Sequence, residues 1–217
     1  RLIEQGFRVI VASIPPYEKI PAFIKGLNDF LIELLVTRVH FVGIGYGGFL
    51  LMHACNKNAI QAAEVNSLTL ISSFMTTRCF RSSGGFFSSA LSKSDLIDEL
   101  SPDRMPAQIQ PCTRFIIEVM DRIDSDVIDR RISLRSSVKD APIPSFGDDR
   151  TLVIQPRDWA VKLTNNQKPN KVIPNAKVSM LKVGGFFPHL VVPDEICDIL
   201  VEHIKSHQVV IPEAQIE

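Results

Sequence analysis

Apolar positions along this chain follow two rhythms, which alternate through its first seventy residues and return after residue 150. Arg8–Ser13 (R-V-I-V-A-S) is a short β-branched run that stops before Pro15-Pro16, a pattern that predicts a strand. Pro21 then opens a helix in which Phe23, Leu27, Phe30, Leu31, Leu34 and Leu35 recur at helical spacing and make one apolar face. Val39–Gly43 predicts the next strand, Gly47 to about Asn56 the next helix, and Ser67–Ile71 (S-L-T-L-I) a third strand. Strands that alternate with helices imply parallel pairing through right-handed crossovers.

Residues from Met75 to Gly147 break that rhythm. They are polar and rich in serine, with Arg78, Arg81 and Gly84-Gly85 near the start. Helical segments are expected near Ser94–Leu100, Thr113–Ile123 and Asp126–Ile132, so this stretch reads as a helical insertion capping the carboxyl end of the sheet. The alternation resumes with strands at Thr151–Gln155 and Lys177–Val183 and a helix at Asp194–His207. That helix carries Asp194 and Glu195 in its first turn and His203, Lys205 and His207 in its last, which complements the helix dipole. The organisation expected is an α/β core in two parts, residues 1–74 and 148–207, with a cap at 75–147 and a tail at 208–217. No internal repeat is present.

Composition narrows the class. The chain has 217 residues with 24 basic and 24 acidic side chains, which suits one domain with an insertion. Zero net charge and the lack of a basic run argue against nucleic acid as a partner. The most apolar stretch, Phe23 to Ala54, is interrupted by Lys25, Asp29, Glu33 and Arg38, so no transmembrane segment is expected. Cys55, Cys79, Cys112 and Cys197 are far apart and form no C-x-x-C pair, so neither a zinc site nor a disulfide framework is implied. They read as thiols of a reducing compartment, with the cytosol as the default location. The chain opens at Arg1 in what reads as the end of a helix, so the start of the domain is expected to lie upstream.

Candidate chemistry concentrates in V-G-I-G-Y-G-G-F-L, Val42–Leu50, between a predicted strand and a predicted helix. A small-x-nucleophile-x-small turn in that setting is the nucleophile elbow of α/β-hydrolases. The tip should be Ser, Cys or Asp, because attack on an ester or amide needs a reactive heteroatom. Here the tip is Gly45. Glycine tolerates the strained backbone of such a turn, and Gly43 and Gly47 on either side are expected to let strand and helix approach closely. The plainer reading is a glycine-rich turn with no catalytic ancestry. A third reading takes Gly43, Gly45 and Gly48 as G-x-G-x-x-G, the dinucleotide fingerprint. That fingerprint needs an acid at the end of the next strand, which instead ends Ile71-Ser72-Ser73, while Glu64 precedes the strand.

The hydrolase order is nucleophile, acid, histidine. Asp158, in Q-P-R-D-W-A-V, falls where the acid is expected. Hydrolases often read G-G-H-x-P-H-L after the last strand, and this chain reads Gly184-Gly185-Phe186-Phe187-Pro188-His189-Leu190. Phe186 holds the general-base position and cannot accept a proton, and His189 matches the second, non-catalytic histidine. Gly45, Asp158 and Phe186 therefore read as a vestigial triad, with Asp158 left as a loop cap or a solvent-facing carboxylate. His40 and His53 read as packed or surface residues rather than bases. Ser72 and Ser73 end a strand with no histidine placed to activate them. Tyr46 and Trp159 read as cleft-lining or packing aromatics. No cofactor or metal is implied.

These residues resemble the maspardin family, α/β-hydrolase-fold proteins associated with a hereditary spastic paraplegia. The resemblance is carried by V-H-F-V-G-I-G-Y-G-G-F-L (Val39–Leu50), V-N-S-L-T-L-I (Val65–Ile71), F-I-I-E-V-M-D-R-I (Phe115–Ile123) and, above all, I-P-N-A-K-V-S-M-L-K-V-G-G-F-F-P-H-L (Ile173–Leu190). It runs from about Gly6 to His207 and is weakest over Ser72–Ala107 and Lys139–Arg150. The family keeps a serine at the elbow but lacks the histidine after the Gly-Gly pair. Gly45 departs from that pattern too. The resemblance implies a non-enzymatic, protein-binding adaptor of vesicle trafficking or receptor signalling. Its implied partners are the cytoplasmic tail of a cell-surface receptor and an aldehyde dehydrogenase relative. Its implied location is the cytosol, with peripheral association at endosomal or trans-Golgi membranes. The alternative is a hydrolase or small-molecule binder using the old cleft. The resemblance also implies that Arg8–Ser13 is the fourth strand of a hydrolase sheet, with three strands upstream of Arg1. The third of these would lie between Arg8–Ser13 and Val39–Gly43, so in this chain those two would pair directly or leave a gap.

Overall fold

Two strands sealed from water set the middle of the molecule. A computed structural model describes residues 1–80, 93–146, 148–158, 163–185 and 187–208. In it, β2 (Glu64–Ile71) is buried from Asn66 onward, and β3 (Thr151–Pro156) is buried except at Gln155. Continuous apolar runs such as S-L-T-L-I and T-L-V-I-Q are what strands covered on both faces require. β1 (Arg38–Ile44) lies beside β2 and β4 (Lys177–Leu181) beside β3, giving a parallel sheet in the order β1-β2-β3-β4.

Alternate side chains feed two cores. On one face Phe41, Leu68, Leu70 and Val153 meet Phe23 and Leu31 of α1 (Ile20–Glu33) and Phe49 and Met52 of α2 (Tyr46–Ala54). On the other, Ile71, Leu152, Ile154 and Leu181 meet Ile196, Leu200 and Ile204 of the carboxyl-terminal helix Pro193–Ser206. Each such aliphatic side chain contributes roughly 1.5–3 kcal/mol by leaving water. Three helices lie between β2 and β3: α3 (Lys93–Glu99), α4 (Gln110–Asp121) and α5 (Ser125–Ser137). Their base is stapled. Thr76 pairs with Asp140 in an isolated antiparallel bridge, and the Thr76 and Thr77 hydroxyls donate to the Lys139 and Val138 carbonyls at 2.8 and 2.9 Å. Two short helices, α6 (Pro169–Val172) and α7 (Pro188–Val191), each begin on a proline, and Pro193–Ser206 is α8.

Three departures from the sequence reading have a physical reason. Arg8–Ser13 is not a strand: it has no ladder partner among the described residues, and Val9, Ile10 and Val11 are exposed. A β-branched run supplies a preference, but a strand exists only where a neighbour completes its hydrogen bonds. Of the two alternatives expected for this segment, the structure therefore has Arg8–Ser13 and β1 unpaired. The segment is held at its ends instead. Leu2 and Phe7 pack with the α8 core, Ile14 and Tyr17 pack with the α1–α2 core, and the Arg131 guanidinium donates to the Ile14 carbonyl at 2.6 Å. β2 begins at Glu64 rather than Ser67, because Glu64 pairs with Arg38 through the backbone whatever its side chain. β4 ends at Leu181 rather than Val183, where its partner β3 ends at Pro156. The expected tail beyond residue 208 lies outside the described residues.

Among the described residues β1 thus has a neighbour on one side only, and Val42 and Ile44 are exposed along it. A free edge carrying apolar side chains recruits other strands. The wild-type chain is expected to self-associate with rising concentration in sedimentation velocity. Val42→Lys should suppress this while changing stability by no more than about 0.5 kcal/mol. A wild-type chain that stays monomeric at high concentration would contradict the prediction.

Candidate functional site

One residue makes the turn from β1 into α2. Gly45 has φ 53° and ψ −117°. Its N–H donates to the Ile71 carbonyl at 2.8 Å, and its own carbonyl accepts from Phe49 at 3.3 Å. An L-residue held there stores strain on the order of 1–3 kcal/mol. Space is not the obstacle, since a Cβ on Gly45 would meet nothing within 4 Å. The turn has the backbone of a nucleophile elbow and room for a side chain, with no reactive atom at its tip.

The close approach of strand and helix is made by a different pair from the one the motif suggests. A Cβ on Gly43 would lie 2.4 Å from the Gly48 Cα, and a Cβ on Gly48 would lie 2.0 Å from the Ser73 Oγ. Gly47 faces open space. The Ser73 hydroxyl lies 3.4 Å from the Gly43 carbonyl and 3.3 Å from that of Ile71, so the ends of β1 and β2 and the start of α2 are tied together.

The side chains around the turn are packed against one another. Tyr46 stacks on Phe49, Phe49 stacks on Phe74, and His53 meets Phe49 edge-on at 5.1 Å. Burial raises the Tyr46 hydroxyl well above its ordinary pKa, and nearby Arg135 only partly opposes this. Burial also lowers His53 and pushes the Cys55 thiol up to about 12. Ser72 has φ 47° and is buried, with no hydrogen-bond partner for its Oγ among the described residues. Neither Ser72 nor Ser73 hydrogen-bonds a histidine there. His40 Nδ1 lies 2.8 Å from the Ser67 Oγ, but this is a cross-strand pair with Ser67 buried.

Asp158 sits just past β3, and its carboxylate accepts two backbone N–H groups, from Gly184 at 3.2 Å and Gly185 at 3.0 Å. The acid loop and the Gly-Gly loop are therefore brought together, with Asp158 orienting a backbone rather than an imidazole. This is the loop-cap role open to it in the sequence. Ile109 of the helical insertion closes over the same turn: a Cβ on Gly185 would lie 2.6 Å from its Cδ1. His189 lies in α7, half-buried, its pKa lowered by burial and its Nδ1 without a partner among the described residues. The Phe186 and Trp159 positions lie outside the described residues. Glu64 opens β2, at the opposite end of that strand from the turn, so it cannot serve as the ribose acid of a dinucleotide fingerprint. A cavity of about 340 Å³ lies among Lys93, Ser94, Ile97, Ser125 and Asp129 of the insertion, away from the turn. Among the described residues no group of three or more His, Cys, Asp or Glu side chains could hold a metal ion.

No family model matches the chain. Among curated proteins it is similar to maspardin of Danio rerio, with 23% identity over 207 residues covering 93% of this chain and 66% of that protein. It is 24% identical to maspardin of Homo sapiens over 191 residues, covering 85% of this chain and 62% of that protein. The chain thus spans 62–66% of the length of these relatives. Among solved structures it is similar to a carboxylesterase of Nitrososphaera gargenis, with a TM-score of 0.65 at 15% identity over 94% of this chain and 82% of the other. It is also similar to a bromoperoxidase of Bacillus anthracis, with a TM-score of 0.62 at 15% identity over 89% and 77%. An enol-lactonase of Burkholderia xenovorans gives 0.62 at 14% identity over 89% and 75%. With the parallel sheet flanked by helices, these likenesses establish an α/β-hydrolase fold.

The geometry of the turn makes its glycines separable. Gly48→Ala forces a methyl group into the Ser73 hydroxyl and should destabilise by about 1–3 kcal/mol. Gly47→Ala adds a methyl in open space on a helix and should stabilise by up to about 1 kcal/mol. Urea unfolding of the two variants checks this, and equal effects would contradict it.

Proposed function

We propose that this distant maspardin-like chain, built on the α/β-hydrolase fold, works as a non-catalytic adaptor that binds other proteins in vesicle trafficking or receptor signalling. One observation carries the reading: the elbow keeps its strained backbone, φ 53° and ψ −117°, around a residue with no nucleophile. The Asp158 carboxylate supports it, because both of its oxygens are engaged by backbone amides of the Gly-Gly turn. The histidine position of the pattern reads Phe186 in the sequence, which removes the base on this view. The partners proposed are a receptor cytoplasmic tail and an aldehyde dehydrogenase relative, met in the cytosol and at endosomal or trans-Golgi membranes. No helix among the described residues is long and apolar enough to cross a membrane, so membrane association in this reading is peripheral.

A second reading keeps the cleft in use, as a hydrolase or small-molecule binder. The buried, unpartnered Ser72 hydroxyl at the end of β2 favours it, because such a group invites a polar ligand. Dinucleotide binding has less support, since no acid ends β2.

Short p-nitrophenyl esters test the first reading against the second. The expected result is no turnover above buffer, for the wild-type chain and for Gly45→Ser, in which nothing activates the new hydroxyl. Saturable turnover abolished by Asp158→Asn would overturn the adaptor reading. NAD(H) at 100-fold excess over its dissociation constant would stabilise a binder by about 2.7 kcal/mol. No shift in melting temperature is expected, and a shift lost in Gly45→Val would favour the dinucleotide reading.

A further inference from the structure

Two histidines stand one turn apart where α8 lies on the sheet. His203 of α8 is fully buried, and neither ring nitrogen has a hydrogen-bond partner among the described residues. Its ring centroid lies 4.6 Å from that of His207, one turn along the same helix. His207 is half-buried, with its Nδ1 2.9 Å from the His203 carbonyl and from the Ser206 Oγ. A buried imidazole without partners is tolerable only while neutral, because burying an unpaired charge is far more costly than burying an unpaired dipole.

The charges around His203 do not help it accept a proton. The charged form of His203 is disfavoured first by burial, then by its neighbour His207, and less by Lys177 of β4. Glu202 is the neighbouring carboxylate, but it is exposed and paired with Lys177 at 2.6 Å. The Arg150 backbone, before β3, favours the charged form without reaching hydrogen-bond geometry. Elsewhere α8 is fastened by exposed polar contacts, Arg1 with Asp194 and Asp198 and Lys205 with Gln5, which contribute little each.

We propose that His203 is an acid-sensitive latch, which holds α8 on the sheet while its imidazole is neutral and releases it when the ring is protonated. Release would uncover Ile71, Leu152, Ile154 and Leu181, the apolar face that α8 covers. The direction follows from burial, which pushes His203 from 6.5 down to about 4. A detached helix returns His203 to its ordinary value, so the open form binds more protons. Docking is therefore full above pH 6.5 and weakens as the pH falls toward 4.

Amide hydrogen exchange of the full chain, corrected for the intrinsic effect of pH, tests this with α2 as internal reference. Between pH 7 and pH 5 the segment Pro193–Ser206 should lose protection roughly 20-fold, as that change in His203 dictates, and Tyr46–Ala54 should stay nearly constant. His203→Phe keeps a buried ring that takes no proton and should abolish the loss. Should that variant fail to fold, His207→Gln, at a half-buried position, should still reduce it. Equal loss in both helices, no loss in α8, or a pH response unchanged in His207→Gln would overturn the proposal.

Discussion

At the carboxyl end of β1 two backbones touch. A Cβ on Gly43 would lie 2.4 Å from the Cα of Gly48, so strand and helix can sit this close only with glycine on both sides. The sharp reversal at Gly45 follows from that contact, because a single residue must redirect the chain within the gap, and its φ of 53° is the result. The position of the Ser73 hydroxyl against the Gly43 carbonyl, and the stacking of Tyr46 and Phe49 at the start of α2, are set by the same approach. The geometry of the turn is thus held by packing between strand and helix.

That separation of architecture from chemistry extends to the opposite side of the site. Asp158 occupies the acid loop, and its two oxygens bind the amides of Gly184 and Gly185. Charge-assisted bonds to backbone N–H groups are among the stronger hydrogen bonds. They fix the loop after β4 where Ile109 of the insertion rests on it. An aspartate used this way fixes the shape of the surface around the loop.

The core was legible in the sequence because buried parallel strands leave uninterrupted apolar runs, as in Ser67–Ile71 and Thr151–Gln155. The turn was legible because V-G-I-G-Y-G-G lies between a strand pattern and a helix pattern. Which glycines touch was not, since Gly47 and Gly48 are equivalent in a motif and differ only in the direction they face along α2. Arg8–Ser13 was misread because its β-branched residues report a preference, while pairing depends on a neighbour. The role of Asp158 left only a coarse signal, an acid in one loop and two glycines in another. The burial of His203 left none, since a histidine in the last turn of a helix reads as a solvent-facing complement to the dipole, while the fold sets it against the sheet with both ring nitrogens unpartnered among the described residues.

The account holds that no side chain near the elbow stands in for the missing nucleophile. Covalent labelling with a fluorophosphonate probe, read by intact mass and peptide mapping, tests this most directly, because Ser72 and Ser73 lie beside the turn with hydroxyls that an activating base could make reactive. The account predicts no stoichiometric adduct on the folded chain. A stoichiometric adduct at Ser72 or Ser73 that forms on the folded protein and disappears on unfolding would contradict it.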